Sequence, residues 1–184
     1  MDDRLLHLRD PHVLPLTTLI EKMRARDINV PHIDPRDGGI KAQVLIFLET
    51  PGPEAVNGFV SRDNDDPTAR NFKNTCEEVG LCREVTALWN VVPRCLSTPT
   101  KSVNPKHADI RNAIDDTRRF IAEFNGLRAI VFCGGSAKYS RAQLKLDHDG
   151  QFSTYHTGNR AYYRYYHHIR ETFRAVAKLT QKST

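Results

Sequence analysis

Three polar side chains of different chemistry stand at the ends of three apolar runs. Glu49 follows Ala42–Leu48, Asn90 follows Val85–Trp89, and His156 closes Phe152–His156. A carboxylate can stabilise a developing positive centre and position a water for attack. A primary amide can pair at once with a donor and an acceptor that lie side by side. An imidazole can donate a proton or a hydrogen bond near neutral pH. Brought together, the three suit hydrolysis of a bond that leaves a cationic fragment on one side and an anionic one on the other. Each also has a plainer role. Glu49 can accept from the turn that follows it, Asn90 can cap its run, and His156 can be a packed histidine at a strand end.

The elements that would bring them together can be read from the pattern. Ala42–Leu48, Val85–Trp89, Arg128–Cys133 and Phe152–His156 read as strands. The first three are short and continuously apolar, without the alternation of a strand that faces water on one side. Helices are expected over Leu16–Arg26, from Asp66-Pro67 to a Gly80 cap, over Lys106–Phe124, Ser136–Leu144 and Asn159–Leu179. Pro31–Gly39, Gly58–Asp66 and Arg94–Pro105 read as loops. Strands that alternate with helices predict an α/β fold, three layers αβα, with a four-stranded, mainly parallel central sheet. Such sheets bind ligands beyond the carboxyl ends of their strands, which is where Glu49, Asn90 and His156 fall.

The chain has 184 residues and a net charge of +5, a length that suits one domain with a real core. The charge is uneven. The first 92 residues carry a net −4 and the last 92 a net +9. A basic half points to a polyanion partner, or else to solvated helix faces. No apolar run is long enough to span a membrane. The mixed charges of Met1–Asp10 predict no secretory signal. Four cysteines are too few for a disulfide scaffold and suit a reducing compartment, so a cytoplasmic location is expected.

The order of these pieces resembles the uracil-DNA glycosylase superfamily. Leu48-Glu49-Thr50-Pro51-Gly52 looks like its first active-site motif, Ala69-Arg70-Asn71-Phe72 like the helix start that carries a base-stacking aromatic, Leu88-Trp89-Asn90-Val91-Val92-Pro93 like the segment with the base-reading Asn, and Tyr155-His156-Thr157-Gly158-Asn159-Arg160 like the His-Pro-Ser loop. The likeness covers roughly residues 40–175 of a single domain. Leu48 stands where the first motif has Gly, and Thr157-Gly158 stand where Pro-Ser follow the His. The resemblance implies a monofunctional DNA glycosylase of base excision repair that acts on uracil or a related deaminated base. Glu49 and His156 would be catalytic, with Asn90, Phe72, Thr50, Pro51 and Gly52 around the base. Phosphate and groove contacts would come from Arg62, Arg70, Gly158, Asn159 and Arg160, with Lys101 a further candidate. No lysine is expected in the site itself, so no Schiff base is expected either.

The target base must leave the helix to be reached. Uracil then offers O4 as acceptor and N3–H as donor, and cytosine the reverse, so one amide can tell them apart by about 1–3 kcal/mol. Two other classes stay open. One is a protein of this fold that binds nucleic acid without catalysis; the other is a hydrolase of free nucleosides. Cys76, Cys82, Cys95 and Cys133 lack any Cys-x-x-Cys pair, so neither an iron–sulfur cluster nor another cofactor or metal is expected. A monomer is expected. The run Tyr162–His168 reads as one apolar stripe of the last helix, through Tyr162, Tyr166, Ile169 and Phe173, beside a solvated face.

Overall fold

In a computed structural model, which describes residues 2–55, 58–98, 100–101 and 103–181, the apolar runs become the strands of one sheet. In chain order the main elements are α1 (Leu14–Arg24), β1 (His32–Ile33), β2 (Val44–Leu48), β3 (Phe59–Val60), α2 (Pro67–Val79) and β4 (Thr86–Asn90). They continue with α3 (His107–Ala122), β5 (Ala129–Cys133), α4 (Gly135–Leu144), β6 (Gln151–Thr154) and α5 (Asn159–Thr180). The central sheet has the order β4-β2-β5-β6 and every pairing is parallel. Strands β2, β4 and β5 are buried at all five positions, the mark of a sheet covered on both faces. Helix α2 packs on α5, and α3 packs on α4 with α1 beside it. The fold is thus α/β with three layers.

Period-two alternation sorts the side chains between the layers. Trp89 faces α3 and stacks on Phe120, ring centroids 5.0 Å apart. Its neighbours Leu88 and Asn90 face the other way and line a cavity with Phe72 of α2. Phe72 meets Phe173 of α5 edge-on at 5.8 Å. One continuous apolar core runs from Val13 to Ala177.

Local chemistry sets the ends of the elements. Asp66 caps α2 by accepting from the Thr68 and Ala69 amides at 2.8 and 3.0 Å. Gly80 ends that helix in the left-handed region at φ +70°. Helix α1 starts at Leu14, two residues before the apolar spacing suggests, with Pro15 in its first turn.

Two expectations are corrected. Segments read wholly as loops contain β1 and β3, which pair in parallel as a separate two-stranded sheet. Two residues are too few to show any periodicity. Strand β6 ends at Thr154 rather than His156. Its partner β5 ends at Cys133, opposite Thr154, so residues beyond it have no ladder to join and turn away. Among the described residues no helix is long and apolar enough to cross a membrane.

The chain's one tryptophan is Trp89, and it is 1% exposed. Trp89→Ala is expected to lower stability by about 3–5 kcal/mol, the usual loss for a large buried aromatic. Urea denaturation followed by far-ultraviolet circular dichroism measures it.

Candidate active site

Strands β2 and β4 pair in register, Leu48 opposite Asn90, so they end at one level. The register brings Glu49 and Asn90 to the same sheet edge. There a cavity of about 480 Å³ opens. Glu49, Thr50, Pro51, Gly52, Asn90 and His156 all line it, as does Phe72. The residues expected to do chemistry are therefore brought together.

The Glu49 carboxylate is held by the start of α4. Its Oε1 accepts from the Ser136 amide at 2.8 Å, and the helix dipole favours an anion there. The approach depends on Gly134. That residue has φ +100°, and a Cβ on it would lie 2.6 Å from Glu49 Oε1. No other residue type is comfortable with either condition.

Asn90 is 2% exposed, yet its amide oxygen is buried with no hydrogen-bond partner among the described residues. A buried unpaired polar atom costs about 1–3 kcal/mol. Folding therefore carries a cost here that a ligand in the cavity can offset.

His156 is half-buried and its tautomer is set by the backbone. The Gly158 amide donates to Nδ1 at 3.0 Å. Nδ1 is thus the acceptor, and the neutral ring carries its proton on Nε2. Burial pushes the imidazole below its ordinary value, with the Glu49 and Asp66 carboxylates pulling the other way. The neighbouring residues that depart from the His-Pro-Ser pattern hold this ring in place. The Thr157 hydroxyl donates to the Thr68 carbonyl at 3.1 Å, and Asn71 Nδ2 donates to the Thr157 carbonyl at 2.8 Å. Gly158 approaches so closely that a Cβ would sit 3.0 Å from Nδ1.

Other expected site residues fall differently. Arg62, expected at the DNA surface, is only 5% exposed. It donates to Thr86 Oγ1, lies 3.7 Å from the buried Asp37 carboxylate, and sits 5.2 Å from the Phe72 ring centroid. Burial pushes the Asp37 carboxyl up to about 7, against the pull of the Arg62 and Arg83 guanidiniums. Arg62 therefore has no free donors at the surface for a phosphate. Phe72 is fully buried between that guanidinium and Phe173. It bounds the cavity but presents no open face on which a base could stack, because it belongs to the core-facing side of α2. Arg70 is exposed and paired with Asp65 at 3.2 Å. Asn159 accepts from Asn71 at 3.1 Å, and Arg160 is exposed with no carboxylate within salt-bridge reach among the described residues.

Charged groups outside the expected pocket also line the cavity. Asp66 adds a second carboxylate to the wall. Its Asp-Pro helix start was visible in the sequence, but not that this start faces the cavity. Lys101 also lines the cavity, contrary to the expectation that no lysine stands there. It belongs to a bridge between Thr98 and Lys101 in the segment that follows the Asn90 motif. Compared with known proteins, the chain matches no protein-family model and no curated protein.

Gly134→Ala is expected to lower stability by about 1–3 kcal/mol, the cost of forcing a side chain into glycine-only backbone space. Crowding at Oε1 should also shift Glu49. Denaturant melts and comparison with a Gly135→Ala control, where only Glu49 Oε1 lies at 4.0 Å, check this.

Proposed function

We propose that the protein is a DNA glycosylase of the uracil-DNA glycosylase type, which hydrolyses the N-glycosidic bond of uracil or a related deaminated base. The observation that carries this reading is the unpaired, buried Asn90 amide at a cavity shared with Glu49 and a neutral His156. Uracil, with its N3–H donor and O4 acceptor side by side, satisfies both ends of that amide.

In this reading the roles follow from the geometry. Glu49, one oxygen tied to the Ser136 amide, positions a water with the other. Its charge also stabilises the cationic sugar that forms as the bond breaks. His156 donates from Nε2 to the leaving base, where negative charge builds. The ring is already neutral, so no proton need be lost to reach the working form. Phe72 closes the wall rather than stacking the base. The Thr157-Gly158 loop serves His156 directly, so its departure from Pro-Ser is not in itself a reason to expect an inert protein. The presence of Lys101 removes the argument that a Schiff base lacks an amine. The assignment as monofunctional rests instead on the Glu49 water route.

Base release from a uracil-containing oligonucleotide, read as alkali-labile strand breaks, tests the proposal. His156→Ala should slow release on the order of 10²–10³-fold, as expected for loss of one preorganised donor. Asn90→Ala should remove most of the activity and the preference for uracil over cytosine. Borohydride added during turnover should trap no covalent protein–DNA adduct. Absence of release from uracil and from deaminated purines would overturn the enzyme reading, and turnover of free deoxyuridine without DNA would replace it with a nucleoside hydrolase.

The pH dependence has a definite sign. The working His156 is neutral, and protonating Nδ1 would set its new N–H against the Gly158 N–H. Activity should therefore hold as pH falls from 8 through the ordinary histidine value of 6.5 and drop only below it. An acid limb above 6.5 that disappears in a His156 variant contradicts the assigned state.

A further inference from the structure

Beside His156 lies a second constructed feature that the base-release chemistry does not use. Tyr155 and Tyr165 stack face to face, centroids 3.6 Å apart and planes 7° from parallel. Lys138 Nζ lies 4.9 Å over the Tyr155 ring, and the Arg164 guanidinium 5.2 Å over the Tyr165 ring. The inner faces of the two rings cover each other, so each cation must lie on an outer face. The result is a four-layer stack of cation, ring, ring and cation. Helix α5 is kinked at Tyr165, where the backbone leaves helical values.

The chain segments that form the stack carry charge of one sign. Residues 124–146 and 150–170 contain no Asp or Glu. Arg141 follows Lys138 by three residues on α4, and Arg160 precedes Arg164 by four on α5, so each pair shares a helix face. Among the described residues none of these four cations has a carboxylate within 4 Å, although neighbours such as Arg170 and Arg174 are paired. Lys138, Arg160 and Arg164 are exposed.

We infer that this stack is a docking site for the phosphodiester backbone of the DNA strand next to the extracted nucleotide. This rests on the reading of the cavity as the seat of that nucleotide. Three points select phosphate as the ligand group. Among the described residues the cations have no carboxylate partner, Arg141 donating only to Ser153 Oγ at 3.0 Å, and they lie next to the His156 loop. Their positions over aromatic faces restrict them before binding, so less side-chain freedom is lost on contact. And no ring face is left free, which excludes the stack as a platform for bases.

The test is the salt dependence of binding to a short, single-stranded, uracil-free oligonucleotide. For single strands, each phosphate contact adds about 0.7 to the slope of log affinity against log salt. Lys138→Gln and Arg164→Gln should each reduce the slope by about that amount, and together by about twice that. Lys138→Arg and Arg164→Lys should keep it, as should Lys178→Gln at the far end of α5. Tyr165→Leu, which removes one layer but no charge, should weaken binding several-fold. Wild-type slopes in the Gln variants, or equal losses in Lys178→Gln, would overturn the inference, as would absence of salt-dependent DNA binding. Because the probe has no uracil, a reduced slope without base release would sink the catalytic reading and leave the docking site standing. Base release with unchanged slopes would do the reverse.

Discussion

The site depends first on the in-register parallel pairing of β2 with β4. Leu48 and Asn90 lie opposite each other, so two strands far apart in sequence stop at the same level. Parallel strands must be joined by crossovers, and here the crossover carries α2, which supplies the far wall of the cavity. A slip of one residue would turn Asn90 to the opposite face of the sheet, because side chains alternate with period two. The buried rows on both sides of the sheet hold the register: Trp89 against Phe120 on one face, and Leu88 toward Phe72 on the other.

Around that edge, polar groups are positioned by backbone amides more than by other side chains. Glu49 is held by the Ser136 amide and His156 by the Gly158 amide. Backbone donors have little freedom to rearrange, so the carboxylate and imidazole are oriented before any ligand arrives. The first contact needs a glycine, Gly134 beneath Glu49, and at the second a Cβ on Gly158 would crowd the His156 ring at 3.0 Å. Asn90 is the exception, since its amide oxygen is left unpaired. An unsatisfied group at an otherwise well-bonded edge is the type of local cost that marks a binding position.

Charge is separated in the same way. Acidic groups of the first half are largely consumed within the protein. Asp34 and Asp37 are buried against Arg83, with Arg62 drawn in beside them. Among the described residues, Lys138 and Arg141 of α4 and Arg160 and Arg164 of α5 have no such partners, whereas Arg170 and Arg174 do. Two of the four, Lys138 and Arg164, lie over the Tyr155–Tyr165 stack beside the His156 loop. This is a stronger basis for a polyanion partner than the overall charge, since a solvated helix face would be expected to mix signs.

Much of the architecture was legible because it rests on local rules. Continuous apolar runs between helical periods determined the α/β class and the parallel sheet, and Asp66-Pro67 and Gly80 marked the ends of α2 by cap chemistry. Glu49, Asn90 and His156 were legible as a group because each follows a buried strand and parallel sheets collect such residues at one edge. The side-chain environments were not legible. Arg62 and Phe72 look available in sequence, and only the contacts of Arg62 with Asp37 and Thr86 and of Phe72 with Phe173 show both to be covered. The tyrosine run reads as an apolar stripe, and Tyr162 and Tyr166 fit that reading. Tyr165 leaves it because the kink lays it on Tyr155. Periodicity and capping are properties of neighbouring residues, so the sequence alone determined the helices and the central-sheet strands and their order, but not the two-residue strands β1 and β3. Which polar groups remain unpaired depends on hydrogen bonds between residues as much as 90 positions apart, and only the tertiary structure decided those.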